Sequence, residues 1–220
     1  MGGSWHGCSA PCISPLVIVD LCMSVAIVKY NAGNVFSVQC ALQRIGVEAV
    51  ITDDFEALRR ADKVVFPGVG EASTAMHFLR EKGLDEVIKS LTQPVLGICI
   101  GLQLLCRSSE EGNVACMGVF DADIKRFRND ACPSLKIPHM GWNTIELSAA
   151  NRLIPEALRE AYVYYVHSYY APVCAHTIAT THYITPFSAA LHHRNFYATQ
   201  FHPEKSGDVG ETILKQFMAL

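Results

Sequence analysis

The sequence lacks three features that are typical of membrane proteins and nucleic-acid-binding proteins. Its longest apolar run, Leu16 to Val28, is interrupted by Asp20 and is shorter than the roughly 20 residues that a spanning helix needs. No Lys or Arg precedes Lys29, so the basic segment that opens a secretory signal is missing. The chain also has no surplus of positive charge, because 18 basic residues stand against 21 acidic ones. We therefore expect neither a membrane nor a nucleic acid as a partner.

What the sequence does have is a large hydrophobic share and many cysteines. Half of its 220 residues are hydrophobic, which excludes general disorder and suits one domain with a buried central layer. The nine cysteines are scattered along the chain, and an odd, scattered set is not typical of a disulfide framework. We therefore expect free thiols and a location in the reducing cytoplasm.

The first 22 residues differ in composition from the rest of the chain. They contain Gly, Ser, Pro and three cysteines, and they lead to a second methionine, Met23, directly before a strand-like run. We expect residues 1–22 to be an appendage and residues 23–220 to form the folded domain. Deleting residues 1–22 tests this hypothesis, because a large loss of solubility or activity would contradict it.

Short apolar runs alternate with helical periodicity between Met23 and Arg107, and this pattern predicts parallel strands buried on both faces. Beyond Arg107 the pattern changes to short strands and loops, followed by a final helix from about 209 to 218. The strands are predicted over 25–29, 47–52, 64–66, 95–98, 123–127, 142–146, 162–166, 177–181, 188–192 and 195–200. The sequence therefore predicts one α/β domain, with a mainly parallel central sheet flanked by helices and a more β-rich second half.

Cys99 lies between two glycines at the point where a predicted strand passes into a helix. Gly97 and Gly101 stand two residues before and two residues after it, as in the nucleophile elbow of hydrolases. Such a turn exposes the sulfur at a helix start, where the backbone amides favour the thiolate. The alternative is a buried cysteine that packs as a small hydrophobic side chain, and the glycines alone do not decide between the two.

A second motif, Phe201-His202-Pro203-Glu204, follows the last predicted strand and supplies a base and a carboxylate two residues apart. A cysteine nucleophile needs a base that returns a proton to the leaving group, and that base needs an orienting group. Taken alone, His202 and Glu204 are better explained as a loop cap and a surface charge. Pro-Gly-Val-Gly at 67–70 ends another strand, and its glycines let backbone amides turn towards an oxyanion, although the segment on its own is better explained as an ordinary turn. Because the carboxyl ends of parallel strands meet at one crevice, we expect these segments to lie together.

Five segments carry a family resemblance. Gly-Ile-Cys-Ile-Gly-Leu-Gln at 97–103, Pro-Gly-Val-Gly at 67–70 and Phe-His-Pro-Glu-Lys-Ser-Gly at 201–207 resemble class I glutamine amidotransferases. Pro-His-Met-Gly-Trp-Asn at 138–143 and Tyr-Val-His-Ser-Tyr-Tyr at 165–170 are similar to the glutaminase subunits of imidazole glycerol phosphate synthase, an enzyme of histidine biosynthesis. The resemblance covers essentially residues 23–220 and implies a class I glutamine amidotransferase-like domain.

The resemblance implies hydrolysis of glutamine to glutamate and ammonia without a cofactor or a metal. Cys99 would attack the carboxamide carbon to form a glutamyl thioester. His202 would protonate the departing ammonia and then activate water, while Glu204 orients the histidine. The implied oxyanion hole consists of Gly68, Val69 and Ile100. The implied substrate-binding residues are Gln103, Glu111 for the α-ammonium, and Ser168 and Tyr169 for the α-carboxylate.

The resemblance also implies a heterodimer. The partner would be a cyclase with a (β/α)8 barrel, which receives ammonia through a channel. It would convert a phosphoribulosyl aminoimidazole carboxamide intermediate into imidazole glycerol phosphate and AICAR. The implied partner-facing residues are Asn34, Met140, Trp142, Asn143 and Tyr164. Core packing is the alternative for Met140 and Trp142.

Several positions depart from the family pattern. Lys29 and Asn31 stand where an acidic residue and a glycine are common, Ile100 and Leu102 replace the frequent Leu and Met, and His182 replaces a usual acidic residue. The changes at 100 and 102 are conservative, whereas those in the first loop concern the implied interface. A cysteine peptidase and a non-catalytic interaction protein on this fold are the alternative functions.

Overall fold

The strands predicted between Met23 and Arg107 form the parallel side of one large sheet. The computed structural model describes residues 23–30, 34–68, 70–130, 132–148 and 150–220. Its helices are α1 (Val35–Arg44), α2 (Phe55–Arg60), α3 (Ala72–Lys82), α4 (Leu84–Ser90), α5 (Ile100–Leu105) and α6 (Gly207–Met218), with two 3-10 turns over Glu156–Leu158 and Pro203–Lys205. Its first seven strands are β1 (Val25–Val28), β2 (Ala49–Thr52), β3 (Lys63–Phe66), β4 (Val95–Ile98), β5 (Ser108–Ser109), β6 (Val114–Ala115) and β7 (Asp123–Arg126). The others are β8 (His139–Thr144), β9 (Glu146–Leu147), β10 (Tyr162–His167), β11 (Tyr169–Tyr170), β12 (Thr177–His182), β13 (Pro186–His193) and β14 (Phe196–Thr199).

The large sheet has a parallel half and an antiparallel half. Its strand order is β2-β1-β3-β4-β14-β13-β12-β9, in which the first five strands are parallel and the last three continue antiparallel. Two smaller sheets lie beside it, β10-β8 and β11-β7-β5-β6. This arrangement confirms the prediction of a single α/β domain with a mainly parallel centre and a β-rich second half.

The central strands are buried because helices cover both faces of the sheet. Side chains alternate along a strand, so Ala26 and Val28 of β1 pack into one apolar layer, while Val25 and Ile27 pack into the other. Helices α2 to α5 contribute to the first layer, and α1 and α6 contribute to the second. Each fully buried Leu or Ile side chain stabilises such a layer by about 1.5–3 kcal/mol.

The register of two neighbouring strands decides where the predicted site lies. Strands β4 and β14 are parallel, with Ile98 opposite Thr199, so the residues that follow each strand leave the sheet side by side. Cys99 and the segment from 200 to 204 therefore meet at the same edge, as expected from the sheet order. None of the helices in the described part of the chain is long and apolar enough to cross a membrane.

The structure differs from the sequence prediction mainly in the second half. Strand β8 begins at His139 rather than near Trp142, because it pairs along its whole length with β10, from His139 opposite His167 to Thr144 opposite Tyr162. The two-residue strands β5, β6, β9 and β11 were not predicted, since such short pairs carry no hydrophobic periodicity. Residues 1–22, and with them the hypothesis of an appendage, lie outside the described residues.

Candidate active site

The backbone at Cys99 has the conformation of a nucleophile elbow. Its φ of 54° and ψ of −105° lie in a region that non-glycine residues rarely occupy. Both flanking glycines are required by close packing. A Cβ atom at Gly101 would lie 2.0 Å from the carbonyl oxygen of Phe66, and one at Gly97 would lie 2.9 Å from Leu105 Cδ1. No side chain fits at Gly101, because its neighbour is backbone, whereas a Cβ atom at Gly97 would require the Leu105 side chain to shift.

The Cys99 sulfur lies between the residue that follows strand β14 and strand β10. The Cys99 amide donates to the Thr199 carbonyl oxygen over 2.7 Å, which ties the elbow to β14. Gln200, the next residue along the chain, directs its Nε2 atom at the sulfur over 3.7 Å. Cys99 is buried, yet it lines a cavity, so its sulfur faces the space where a ligand would lie.

His202 and Glu204 form a buried pair beside the elbow. The Nδ1 atom of His202 donates to Oε1 of Glu204 over 2.7 Å, and both side chains are fully buried. Since a carboxylate only accepts hydrogen bonds, Nδ1 carries the proton, and Nε2 is the free nitrogen of the neutral ring. Nε2 has no hydrogen-bond partner of good geometry among the described residues. This tautomer is the one that a general base requires.

The charges around His202 favour its protonated form. Burial opposes protonation, but the Cys99 thiolate, assisted by Glu204, outweighs burial and raises the pKa of His202 to about 10. A protonated His202 beside a thiolate is an ion pair, and this is the form in which a cysteine acts as a nucleophile. The three side chains can therefore carry out nucleophilic acyl transfer.

Backbone hydrogen bonds hold this segment against strand β10. The His202 amide donates to the Tyr164 carbonyl oxygen over 2.9 Å. The Ser206 hydroxyl accepts from the Tyr164 amide over 3.0 Å and donates to the His202 carbonyl oxygen over 2.6 Å. These hydrogen bonds join the His202 segment directly to strand β10, although the two are about 40 residues apart in the sequence.

The cavity in front of Cys99 brings together the predicted substrate-binding residues. Its volume is about 300 Å³. Its walls are formed by Gly70, Cys99, Ile100, Gln103, Glu111, Pro138, Val166, His167, Ser168 and Tyr169. All four residues predicted to bind substrate, namely Gln103, Glu111, Ser168 and Tyr169, therefore lie in one cavity with the candidate nucleophile.

Two of these residues are oriented by hydrogen bonds. Gln103 is buried, and its Nε2 atom donates to the Tyr169 carbonyl oxygen over 3.0 Å and to Gln200 Oε1 over 3.2 Å. Glu111 is half-buried, which raises the pKa of its carboxyl group, and its Oε2 accepts from the Ala72 amide over 2.8 Å. Neither side chain is freely solvated.

The predicted oxyanion-hole residues are only partly described. The Ile100 amide is the first of helix α5 and has no acceptor within the helix. Gly68 is packed closely, because a Cβ atom there would lie 1.9 Å from the Tyr30 hydroxyl oxygen and 2.4 Å from Ile100 Cγ2. Val69 lies outside the described residues, and so does Asn31, which the sequence analysis associated with the interface.

The predicted partner-facing residues fall into two groups. Met140 and Trp142 are 63% and 55% exposed on strand β8, so they do not pack in the core. Tyr164 lies against Trp142, with ring centroids 6.0 Å apart, and Asn143 donates to the His182 carbonyl oxygen. Asn34 differs from them, because its Nδ2 atom donates to Glu204 Oε1 over 2.5 Å. Asn34 therefore contacts the catalytic candidates directly.

Sequence reasoning missed two features of the site. Gln200 ends the predicted strand over 195–200, and the only signal for a role was a polar residue at the end of an apolar run, directly before the His202 motif. No separate role was predicted for His139 or His167. They form a buried pair, with His139 Nδ1 and His167 Nε2 at 3.1 Å, and His167 Nδ1 donates to the Tyr169 carbonyl oxygen over 2.7 Å.

Comparison with known proteins agrees with this geometry. The family described as glutamine amidotransferase class-I matches residues 17–220. The imidazole glycerol phosphate synthase subunit HisH of Bacteroides fragilis (strain YCH46) is 61% identical over 198 residues, which are 90% of this chain and 100% of the relative. The HisH subunit of Bacteroides thetaiotaomicron is 60% identical over the same shares.

Solved structures agree on the fold. A crystal structure of a glutamine amidotransferase superposes with a TM-score of 0.68 at 19% identity, covering 89% of this chain and 97% of the other. At that identity the likeness shows the fold alone. The match over residues 17–220 and the identity to the Bacteroides subunits go further. The chain belongs to the class I glutamine amidotransferases and, among them, to the HisH family of imidazole glycerol phosphate synthase subunits.

Proposed function

We propose that the chain hydrolyses glutamine to glutamate and ammonia with Cys99, His202 and Glu204 as a catalytic triad. The observation that carries the proposal is the single cavity that Cys99 shares with Gln103, Glu111, Ser168 and Tyr169, with His202 and Glu204 paired behind it. A cavity of about 300 Å³ suits a free amino acid better than a peptide chain, which argues against a peptidase.

In the proposed reaction, the Cys99 thiolate attacks the side-chain carboxamide carbon of glutamine, and the carbonyl electrons move to the oxygen. Backbone amides at Val69 and Ile100, next to Gly68, stabilise this oxyanion. Protonated His202 then gives its proton to the departing nitrogen, so that ammonia leaves and a glutamyl thioester remains. Neutral His202 removes a proton from water, which attacks the thioester, and glutamate leaves as the thiolate forms again.

The remaining cavity residues would bind the amino-acid end of the substrate. The Glu111 carboxylate is anchored at the Ala72 amide through one oxygen, which leaves the other oxygen for the α-ammonium group. Ser168 and Tyr169 would hold the α-carboxylate, and Gln103 would contact the substrate through its side-chain oxygen, since its nitrogen is engaged. No step requires a cofactor or a metal.

The ammonia would serve a partner cyclase with a (β/α)8 barrel, in a heterodimer located in the cytoplasm. The printed names of the relatives describe subunits of imidazole glycerol phosphate synthase, which supports a second subunit. That partner would receive ammonia through a channel. It would convert the phosphoribulosyl aminoimidazole carboxamide intermediate into imidazole glycerol phosphate and AICAR, in histidine biosynthesis. The proposed contact face consists of Asn34, Met140, Trp142, Asn143 and Tyr164.

The test measures glutamate and ammonia released from glutamine by the full chain, with and without the partner cyclase and its nucleotide ligand. We expect turnover that rises when the partner is present. Cys99→Ala should abolish turnover without changing thermal unfolding, because it removes only the sulfur. The absence of glutamine hydrolysis under both conditions, in folded protein, would refute the proposal. Turnover that survives in Cys99→Ala would refute the assignment of the nucleophile.

A further inference from the structure

We propose that Gln200 is a further catalytic residue, which stabilises the Cys99 thiolate with a hydrogen bond whose direction the Tyr169 backbone carbonyl fixes. The inference rests on the proposed function for the reaction that it serves. Its central statement, that the Gln200 side chain donates to the Cys99 sulfur, concerns the thiol itself and can be measured without glutamine.

The direction of the hydrogen bonds follows from one group that can only accept. The Tyr169 carbonyl oxygen lies 3.0 Å from the side-chain nitrogen of Gln103, so Gln103 must present its NH2 group on this side. The same nitrogen lies 3.2 Å from Gln200 Oε1, so Gln200 presents its oxygen to Gln103. The NH2 group of Gln200 is therefore left on the other side, where it lies 3.7 Å from the Cys99 sulfur.

The Gln200 side chain cannot relax away from this position. Gln200 is fully buried, and its backbone amide donates to the Ala189 carbonyl oxygen over 2.8 Å. The neighbouring Thr199 carbonyl accepts from the Cys99 amide, which holds the two backbones together. A buried amide with both ends engaged is a preorganised donor, and such donors stabilise charge more strongly than solvent-exposed ones.

A hydrogen-bond donor that does not titrate has a task at this site, which is to stabilise the Cys99 thiolate alongside His202. His202 stabilises the thiolate only while the imidazole carries its second proton. A second donor at the sulfur adds to that stabilisation before the attack and again when the thiolate re-forms, and it persists at a pH where His202 has lost its proton. A neutral amide performs this task at every pH, because it has no protonation equilibrium of its own.

The experiment measures the rate of Cys99 alkylation by iodoacetamide against pH in the full chain, resolved by peptide mass spectrometry. Exposed Cys40 in the same chain is the internal reference. Gln200→Glu replaces the donor by an acceptor of equal size, and Gln200→Met removes it without adding charge. Gln93→Glu, before the amino end of strand β4, makes the same chemical change at the opposite end of the strand that leads to Cys99.

We expect the midpoint of Cys99 alkylation to move to higher pH by about one unit in Gln200→Glu, and by roughly half of that in Gln200→Met. Cys40 alkylation and the Gln93→Glu variant should follow the wild type. We also expect kcat for glutamine, measured with the partner cyclase, to fall roughly 10-fold or more in both Gln200 variants.

An unchanged Cys99 midpoint in either folded variant would overturn the inference. Thermal unfolding decides which variants are folded, and Gln200→Met carries the test where the carboxylate of Gln200→Glu prevents folding. If the wild type shows the expected alkylation but hydrolyses no glutamine, the proposed function fails while the Gln200 contact stands. If glutamine is hydrolysed and the midpoints do not move, only the inference fails.

Discussion

The elbow around Cys99 and the outer face of strand β8 contrast in how their side chains are used. At the elbow, the functional side chains are buried and hydrogen-bonded, and Gly101 leaves no room for a Cβ atom. On β8, Met140 and Trp142 point outward and are more than half exposed. The first region is arranged to hold a strained reacting group, and the second offers apolar surface that the chain itself does not cover. The proposed catalytic residues and the proposed contact face are thus separated by only the small β10-β8 sheet.

The contrast predicts that a Gly→Ala substitution destabilises the protein much more at the elbow than on strand β8. Gly101→Ala should lower the free energy of unfolding by at least about 4 kcal/mol and abolish turnover, because its Cβ would meet the Phe66 carbonyl oxygen at 2.0 Å. Gly141→Ala on β8 has open space around its Cβ and a φ of 129°, so only backbone strain remains, which costs about 1–3 kcal/mol. Urea unfolding measures both. Equal destabilisation by the two variants would contradict the contrast.

The histidine pair links the two regions, since His139 belongs to β8 and His167 lines the cavity. Burial lowers the pKa of His167 to about 3, far below the 6.5 of an unfolded chain. The unfolded state therefore binds the proton more readily below pH 6.5. The contribution of neutral His167 to the free energy of unfolding is therefore fully present above pH 6.5, and it is lost as the pH drops towards 3.

We expect the free energy of unfolding to fall by roughly 3 kcal/mol between pH 6.5 and 4 because of His167. His167→Phe should remove the part of the slope that His167 causes, and a further part should remain from His139, whose pKa burial lowers to about 4. Exposed His77→Gln should retain the whole slope. Denaturant unfolding at several pH values measures the effect. An unchanged slope in His167→Phe would mean that His167 does not contribute to the acid sensitivity.

The exposed face should be important for association but not for folding. Trp142→Ala is expected to weaken binding of the partner cyclase by about 2 kcal/mol, or roughly 30-fold in Kd, because large aromatic side chains dominate interfaces. Its thermal unfolding and its Cys99 alkylation should match the wild type. Isothermal titration calorimetry measures the binding. Unchanged affinity would remove Trp142 from the proposed contact face.

Asn34 tests the contrast, because it was predicted to face the partner and yet donates a hydrogen bond to Glu204 beside the elbow. If its 2.5 Å hydrogen bond to Glu204 is its main role, Asn34→Ala should lower kcat roughly 10-fold and leave the partner's Kd nearly unchanged. Asn195→Ala, at the amino end of strand β14, is the matched control. A higher Kd for the partner with an unchanged kcat would show instead that Asn34 acts in the contact with the partner.

Much of the fold was predictable because it depends on local patterns. The parallel strands follow from short apolar runs between helices. The start of β8 was not predictable, since it depends on pairing with residues 162–167. The two-residue strands depend in the same way on partners that lie elsewhere in the sequence.

The sequence by itself determined the chemical groups of the site, because glycine spacing around Cys99 and the His202-Pro203-Glu204 order are local. Only the tertiary structure decided how these groups are placed and oriented relative to one another. The register of β4 and β14 brings residue 200 to the sulfur, and the Tyr169 carbonyl sets which atom of Gln200 faces it. It also placed Asn34 against Glu204 and left Met140 and Trp142 exposed. Hydrogen-bond direction and burial depend on groups far apart in the chain, and no local pattern of residues encodes them.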